Sequence, residues 1–196
     1  MWPAIFESAR VTLAVVCTAF AVKLVDDFLD LEQDRISRRA NWTMLLGRAT
    51  VVYGLLCLAI GASIHPISLP LFFASYIVGM FNDLSQLFPS RLAGWQESLL
   101  VFIMGYLLWG WRLMFISLFF VVSIQLLDDC YDTASDQLAG HRNLAHRFGS
   151  HECLLAATCA LLLATWLASE LIVPLILGTV VFVLFNIWLE RKKLLC

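Results

Sequence analysis

From Ser98 to Leu127 the chain runs thirty residues with one formal charge, Arg112. That feature leaves little choice of fold. A bilayer core offers backbone N–H and C=O groups no partner, so a run of this length must satisfy them within its own helix. Similar runs fill most of the sequence: hydrophobic residues make up 61% and charged residues 14%, where a soluble domain keeps roughly a quarter charged. Several runs reach the about 20 residues that a crossing helix needs. With a mean hydropathy of +0.83, the chain is expected to be an all-α integral membrane protein, one transmembrane helical domain over residues 1–196.

About seven crossings are predicted, over roughly Pro3 to Val25, Thr43 to Ile64, Ile67 to Phe81, Gln96 to Trp109, Trp111 to Leu127, Cys153 to Ala168 and Leu171 to Leu189. Turn signals separate them: "HP" at His65, "FPS" at Phe88, "LAG" at Ala139 and "FGS" at Phe148. The thirty-residue run is divided at "WGWR" because it is long for one crossing. Charge supports that division. With the N-terminus outside, eleven Lys and Arg residues fall on the inner side and only Arg10 and Arg112 on the outer. That is a strong positive-inside bias, and it places the C-terminal "ERKK" among cytosolic lipid headgroups.

Other features direct function less. "MWPAIFESAR" has neither the basic region nor the small-residue cleavage site of a secretory leader. A net charge of −2, with no basic patch interleaved with aromatics, gives no reason to expect nucleic acid. Six cysteines show neither CxxC nor zinc spacing and read as packing residues. His141, His146 and His151 are five apart, off any one helix face, and His65 falls in an outer loop. Gly79, Gly105 and Gly178 read as close-packing positions between helices. Asn82 and Asp83 read as a solvated helix end.

The aspartates stand out. Eight of nine lie in two segments at the ends of apolar runs, "LVDDFLDLEQD" and "LLDDCYDTASD". Asp26, Asp30 and Asp34 are four apart, as are Asp128, Asp132 and Asp136, so each set stacks along one helix face. Stacked like charges repel, and acids at helix C-termini oppose the macrodipole, so simple capping is poor physics here. Paired hard oxygen donors suit Mg²⁺, which takes one or two carboxylates beside waters and phosphate oxygens. The pattern recurs at an offset of 102 residues, a weak internal pseudo-repeat whose flanking sequences do not visibly match.

At full length "DDFLDLEQD" resembles the NDxxDxxxD motif of the UbiA-type membrane prenyltransferase superfamily, and "DDCYDTASD" its DxxxDxxxD. "RRAN…GR" (Arg38, Arg39, Ala40, Asn41, Gly47, Arg48) is similar to the basic stretch after the family's first motif. "AGHRNLAHRFG" (Ala139 to Gly149) is similar to the G-x-[RK]-T-L-x-x-x-x-G after its second. The likeness spans about Lys23 to Gly149. It departs from the family at Asp26, where asparagine is usual, at Asn143, where threonine is usual, and in "FNDLSQLFPSRLAG", whose only basic residue is Arg91.

The resemblance implies a polar cavity opening to the cytosolic side, Mg²⁺ as cofactor and an isoprenoid diphosphate as substrate, with membrane lipids around the bundle. It implies metal ligands among Asp26, Asp27, Asp30, Asp34, Asp128, Asp129, Asp132 and Asp136. Catalysis would fall to Asp30, Asp132, Arg142 and Arg39, and substrate binding to Lys23, Arg38, Arg91, Arg142 and Tyr131. Phe28, Tyr76, Phe81, Tyr106 and Tyr131 are candidates to face an allylic cation. The expected reaction is ionisation of the diphosphate and transfer of the prenyl group to an aromatic or lipid acceptor. Two alternatives are a membrane terpene cyclase of the same superfamily and a non-catalytic relative that binds isoprenoid phosphate.

Overall fold

The computed structural model describes residues 2–37, 40–79, 84–139 and 143–191, which are helical almost throughout. In chain order the helices are α1 (Trp2–Leu29), α2 (Leu31–Ser37), α3 (Trp42–Leu46), α4 (Thr50–Ile64), α5 (Ser68–Gly79), α6 (Gly94–Ala139), α7 (Leu144–Phe148), α8 (Ser150–Leu167) and α9 (Ser169–Arg191). A 3-10 turn, Gly47–Ala49, joins α3 to α4. No strand occurs among the described residues; Leu87 and Ala93 form an isolated bridge before α6.

Among the described residues five stretches are long and apolar enough to cross a membrane: Ala4–Leu29, Trp42–Ile64, Gly94–Thr133, Ser150–Leu167 and Ser169–Leu189. The predicted seven differ from these at two places. α5 has 12 residues, short of the about 20 a perpendicular crossing needs. The predicted fourth and fifth crossings share one helical run, α6, of 46 residues. That run is not straight. Gly110 sits at φ 80° and ψ 163°, a conformation that side chains disfavour. A straight helix would hold residues 102 and 115 about 20 Å apart, yet the Phe102 and Phe115 rings meet edge to face at 5.4 Å. α6 folds back on itself at the "WGWR" site.

The chain divides into two compact units, Met1–Phe72 with Leu171–Cys196, and Phe73–Glu170. In the first, α4 packs along α1, with Thr50, Gly54 and Gly61 buried on α4 and Ala14, Val15, Thr18 and Ala21 on α1. In the second, α8 packs along α6, with Cys153, Ala157 and Ala164 buried on α8 and Ile116, Ser117, Phe120 and Ser123 on α6. The stripes of α1 and α6 correspond at an offset of 102, those of α4 and α8 at 103. The helix ends remote from the acidic segments match as well. Arg10 Nη2 donates to the last carbonyl of α4, Ile64, at 2.6 Å, and Arg112 Nε to the last carbonyl of α8, Leu167, at 3.0 Å. A cation there complements the helix dipole, and each guanidinium also pairs with a carboxylate, Glu7 or Glu170.

The flanks of the acidic segments therefore do repeat, contrary to the reading from sequence. Identity hid it: the contact positions of α4 and α8 share small size rather than residue type, those of α1 and α6 only burial, and a one-residue slip separates Gly149 from Cys153 relative to Gly47 from Thr50. Small residues let helix backbones approach where hydrophobicity cannot drive association. Large apolar side chains such as Leu107, Leu155, Trp166 and Leu184 are exposed instead, an arrangement suited to lipid.

At the end of α4, His65 Nδ1 accepts the Ile67 N–H at 3.2 Å and Nε2 lies 3.2 Å from Glu7 Oε1. Burial holds this imidazole below its ordinary pKa range, in keeping with an unprotonated Nδ1.

α9 meets α1 closely at Gly178, where an added Cβ would sit 2.7 Å from Val15 Cβ and 2.8 Å from the Thr12 carbonyl. Gly178→Ala is expected to destabilise the protein by about 1–3 kcal/mol through overpacking. Gly79→Ala, whose Cβ would meet nothing within 4 Å among the described residues, is the control. Equal unfolding midpoints for the two variants would refute the close approach. Gly105 is a close-packing position as expected, against Met114 Sδ.

Candidate functional site

Each unit carries one acidic segment, at the end of the helix that bears the capping arginine. Both helices outrun their predicted ends at Val25 and Leu127, because hydropathy marks where lipid stops and helical hydrogen bonding continues into water. α1 reaches Leu29 and α6 reaches Ala139. The break at Asp30 leaves the acidic row intact: Asp30 N–H donates to the Asp26 carbonyl and Asp34 N–H to the Asp30 carbonyl, both at 2.9 Å. Asp26, Asp30 and Asp34 therefore keep helical spacing, roughly 6 Å per step. Asp128, Asp132 and Asp136 follow one another along unbroken helix.

Within each Asp-Asp pair the two carboxylates have different surroundings. Asp26 and Asp128 are exposed, whereas Asp27 and Asp129 are 1% and 5% exposed. Asp27 Oδ1 lies 2.9 Å from Lys23 Nζ, and Oδ2 accepts the Trp42 N–H at 2.7 Å. Asp129 Oδ1 accepts from Gln125 Nε2 and Oδ2 from the Leu144 N–H, both at 3.0 Å.

Two asparagines complete the pattern. Asn41 Nδ2 donates to the Asp27 carbonyl and to Asp34 Oδ2, each at 2.7 Å. Asn143 Nδ2 donates to the Asp129 carbonyl at 2.8 Å. Each also caps the short helix that follows it: Asn41 Oδ1 accepts the Thr43 N–H at 2.7 Å, and Asn143 Oδ1 the Ala145 N–H at 2.8 Å. Gly47 and Gly149, at φ 58° and 102°, end those helices with a turn that favours glycine. None of Asn41, Asn143 and Gln125 was among the predicted site residues. The signal was present, since both asparagines and both glycines repeat at the offset of the acids.

The other predicted residues vary in outcome. Lys23, expected to bind substrate, has its ammonium on Asp27. Arg91 is exposed and takes a left-handed φ of 66° in a turn closed by its N–H on the Phe88 carbonyl. Tyr131 is 88% exposed, and Phe28 and Tyr106 are exposed as well. Tyr76 donates its hydroxyl to Glu97 at 2.5 Å. Arg38, Arg39, Phe81, Asn82, Asp83, His141 and Arg142 lie outside the described residues, as does the Asp136 side chain. The aromatic cluster that does form was not foreseen: Phe20 meets Trp42, Phe182 and Phe185 edge to face at 5.0–6.2 Å. Trp42 Nε1 also donates to Asn186 Oδ1 at 3.2 Å. Five cysteines are free among the described residues; Cys153 is buried, as expected of a packing position, whereas Cys159 is exposed.

Among the described residues no three His, Cys, Asp or Glu side chains close around one point. Mg²⁺ does not require such a cage, because it keeps several waters and takes one or two carboxylates beside phosphate oxygens. Asp26 with Asp30, and Asp128 with Asp132, offer pairs of hard anionic donors one helical turn apart. No family model, curated protein or solved structure matches this chain.

Proposed function

We propose that the protein is a Mg²⁺-dependent membrane prenyltransferase that ionises an isoprenoid diphosphate and passes the prenyl group to an aromatic or lipid acceptor. The observation that carries this reading is the duplicated carboxylate row, Asp26, Asp30 and Asp34 in one copy and Asp128, Asp132 and Asp136 in the other. Ionised aspartates near a bilayer are costly, up to about 3 kcal/mol each at its centre, and carboxylates one helical turn apart are the hard donors that Mg²⁺ takes beside phosphate oxygens. A diphosphate binds together with Mg²⁺, and the likeness of both segments to the UbiA-type motifs supports the substrate class.

Bound Mg²⁺ supplies Lewis-acid neutralisation of the leaving diphosphate. The chain's own groups do the rest. The aspartate rows hold the metal, and Arg39, Arg91 and Arg142 offer charge-assisted hydrogen bonds to diphosphate oxygens. The apolar helices take the isoprenoid tail and keep water from the reacting carbon. The charge bias of the loops supports seven crossings, an external N-terminus, a cytosolic C-terminus and a site open to the cytosolic side.

The test uses the full chain in detergent with Mg²⁺ and prenyl diphosphates of several lengths, with and without aromatic or lipid acceptors. Diphosphate release that requires an acceptor is the expected result. A cyclic product formed without acceptor would replace transfer by cyclisation. Binding with no diphosphate release under any condition would leave only a non-catalytic role.

A further inference from the structure

The two copies agree most closely at the base of each acidic segment. Asp27 and Asn41 are 14 residues apart, as are Asp129 and Asn143, and three equivalent bonds close each interval. The asparagine amide holds the aspartate's carbonyl, the next residue's N–H holds Oδ2, and a side chain one turn earlier holds Oδ1. Every other acid of the two segments except Asp26 and Asp128, together with Arg38, Arg39 and Arg142, lies on the chain between those ends.

Both oxygens of Asp27 and of Asp129 are thus engaged by protein donors, and burial denies them the water that Mg²⁺ keeps in its shell. We propose that Asp27 and Asp129 are anchors rather than metal ligands, and that with Asn41 and Asn143 they are the positioning residues of two clasped functional segments. Lys23 in one copy and Gln125 in the other show what the anchor needs, a donor to Oδ1 and not a charge. Asn41 extends the role by orienting the Asp34 carboxylate, as outer partners orient metal ligands. The statement about ligands rests on the function proposed above; the clasp itself does not.

Mn²⁺ is the probe, read as bound against free ion by electron paramagnetic resonance on the full chain in detergent, with unfolding midpoints from the same samples. Asp27→Asn and Asp129→Asn are expected to lower the midpoint and keep the number of bound Mn²⁺, while Asp26→Asn and Asp128→Asn lose bound Mn²⁺. Asn41→Ser keeps a capping oxygen but no amide donor, and is expected to weaken Mn²⁺ binding by about tenfold. Loss of bound Mn²⁺ in Asp27→Asn or Asp129→Asn at the wild-type midpoint overturns the anchor assignment. Where Asp27→Asn does not fold, Lys23→Gln should keep the wild-type midpoint and Lys23→Met should lower it; equal midpoints overturn the assignment. A wild-type chain that binds no Mn²⁺ refutes the proposed function, and the Lys23 pair then judges the clasp by itself.

Discussion

Asp30→Asn and Asp132→Asn each lose Mg²⁺-dependent diphosphate release by at least about a thousandfold, while the protein still folds. The size follows from the metal's share in the reaction. Lewis-acid stabilisation of a leaving group amounts to several kcal/mol, and each 1.4 kcal/mol is about tenfold in rate. An amide keeps the shape of the carboxylate and removes the anion that would hold the cation. Folding is spared because Asp30 is exposed and Asp132 only half-buried, and each sits in a row of aspartates spaced one helical turn apart. Removing one charge from such a row relieves a few tenths of a kcal/mol of repulsion. Initial rates at saturating Mg²⁺, beside helical content and unfolding midpoint, check both halves of the expectation. Wild-type rates in both variants would end the metal assignment.

The second large effect is on stability. Asn41→Leu and Asn143→Leu each cost about 3 kcal/mol, because leucine keeps the branched shape and heavy-atom count of asparagine and removes every bond it makes. Loss of the cap accounts for about 1 kcal/mol, and the buried groups left without a partner for about 1–3 kcal/mol more. Those groups include the Asp27 and Asp129 carbonyls and the N–H groups of Thr43 and Ala145. Asn41→Leu should be the more damaging, since it also strips Asp34 Oδ2 of its donor. Reversible unfolding in mixed micelles measures both. Costs under about 1 kcal/mol in each variant would mean that the clasps do not hold their segments together.

Much of the candidate site was legible in the sequence. The four-residue spacing of the acids, the helical state of their surroundings and the turn at "WGWR" are local properties, and local composition sets them. The reach of helix beyond Val25 and Leu127 was less legible, because apolarity and helicity end at different residues. The repeat marks Asn41 and Asn143 in the sequence, but their roles and that of Gln125 were not legible, since each depends on a bond to a carboxylate or carbonyl whose position the fold must first supply. The aromatic cluster around Phe20 was missed for a similar reason: Phe182 and Phe185 come from the far end of the chain.

Composition alone determined that this chain is helical and apolar enough to cross a membrane, because a backbone in hydrocarbon can bond only to itself. It also set where the carboxylates cluster and how they are spaced. The tertiary structure decided which member of each Asp-Asp pair turns inward and which faces out. Two adjacent aspartates are chemically identical until α3 or α7 returns to offer one of them an N–H. Tertiary structure also revealed the repeated helix pair, because helices that are apolar on every side carry no periodic mark of the face they will bury. On α4 and α8 that face is chosen by size, where Gly, Ala, Thr and Cys let two backbones meet.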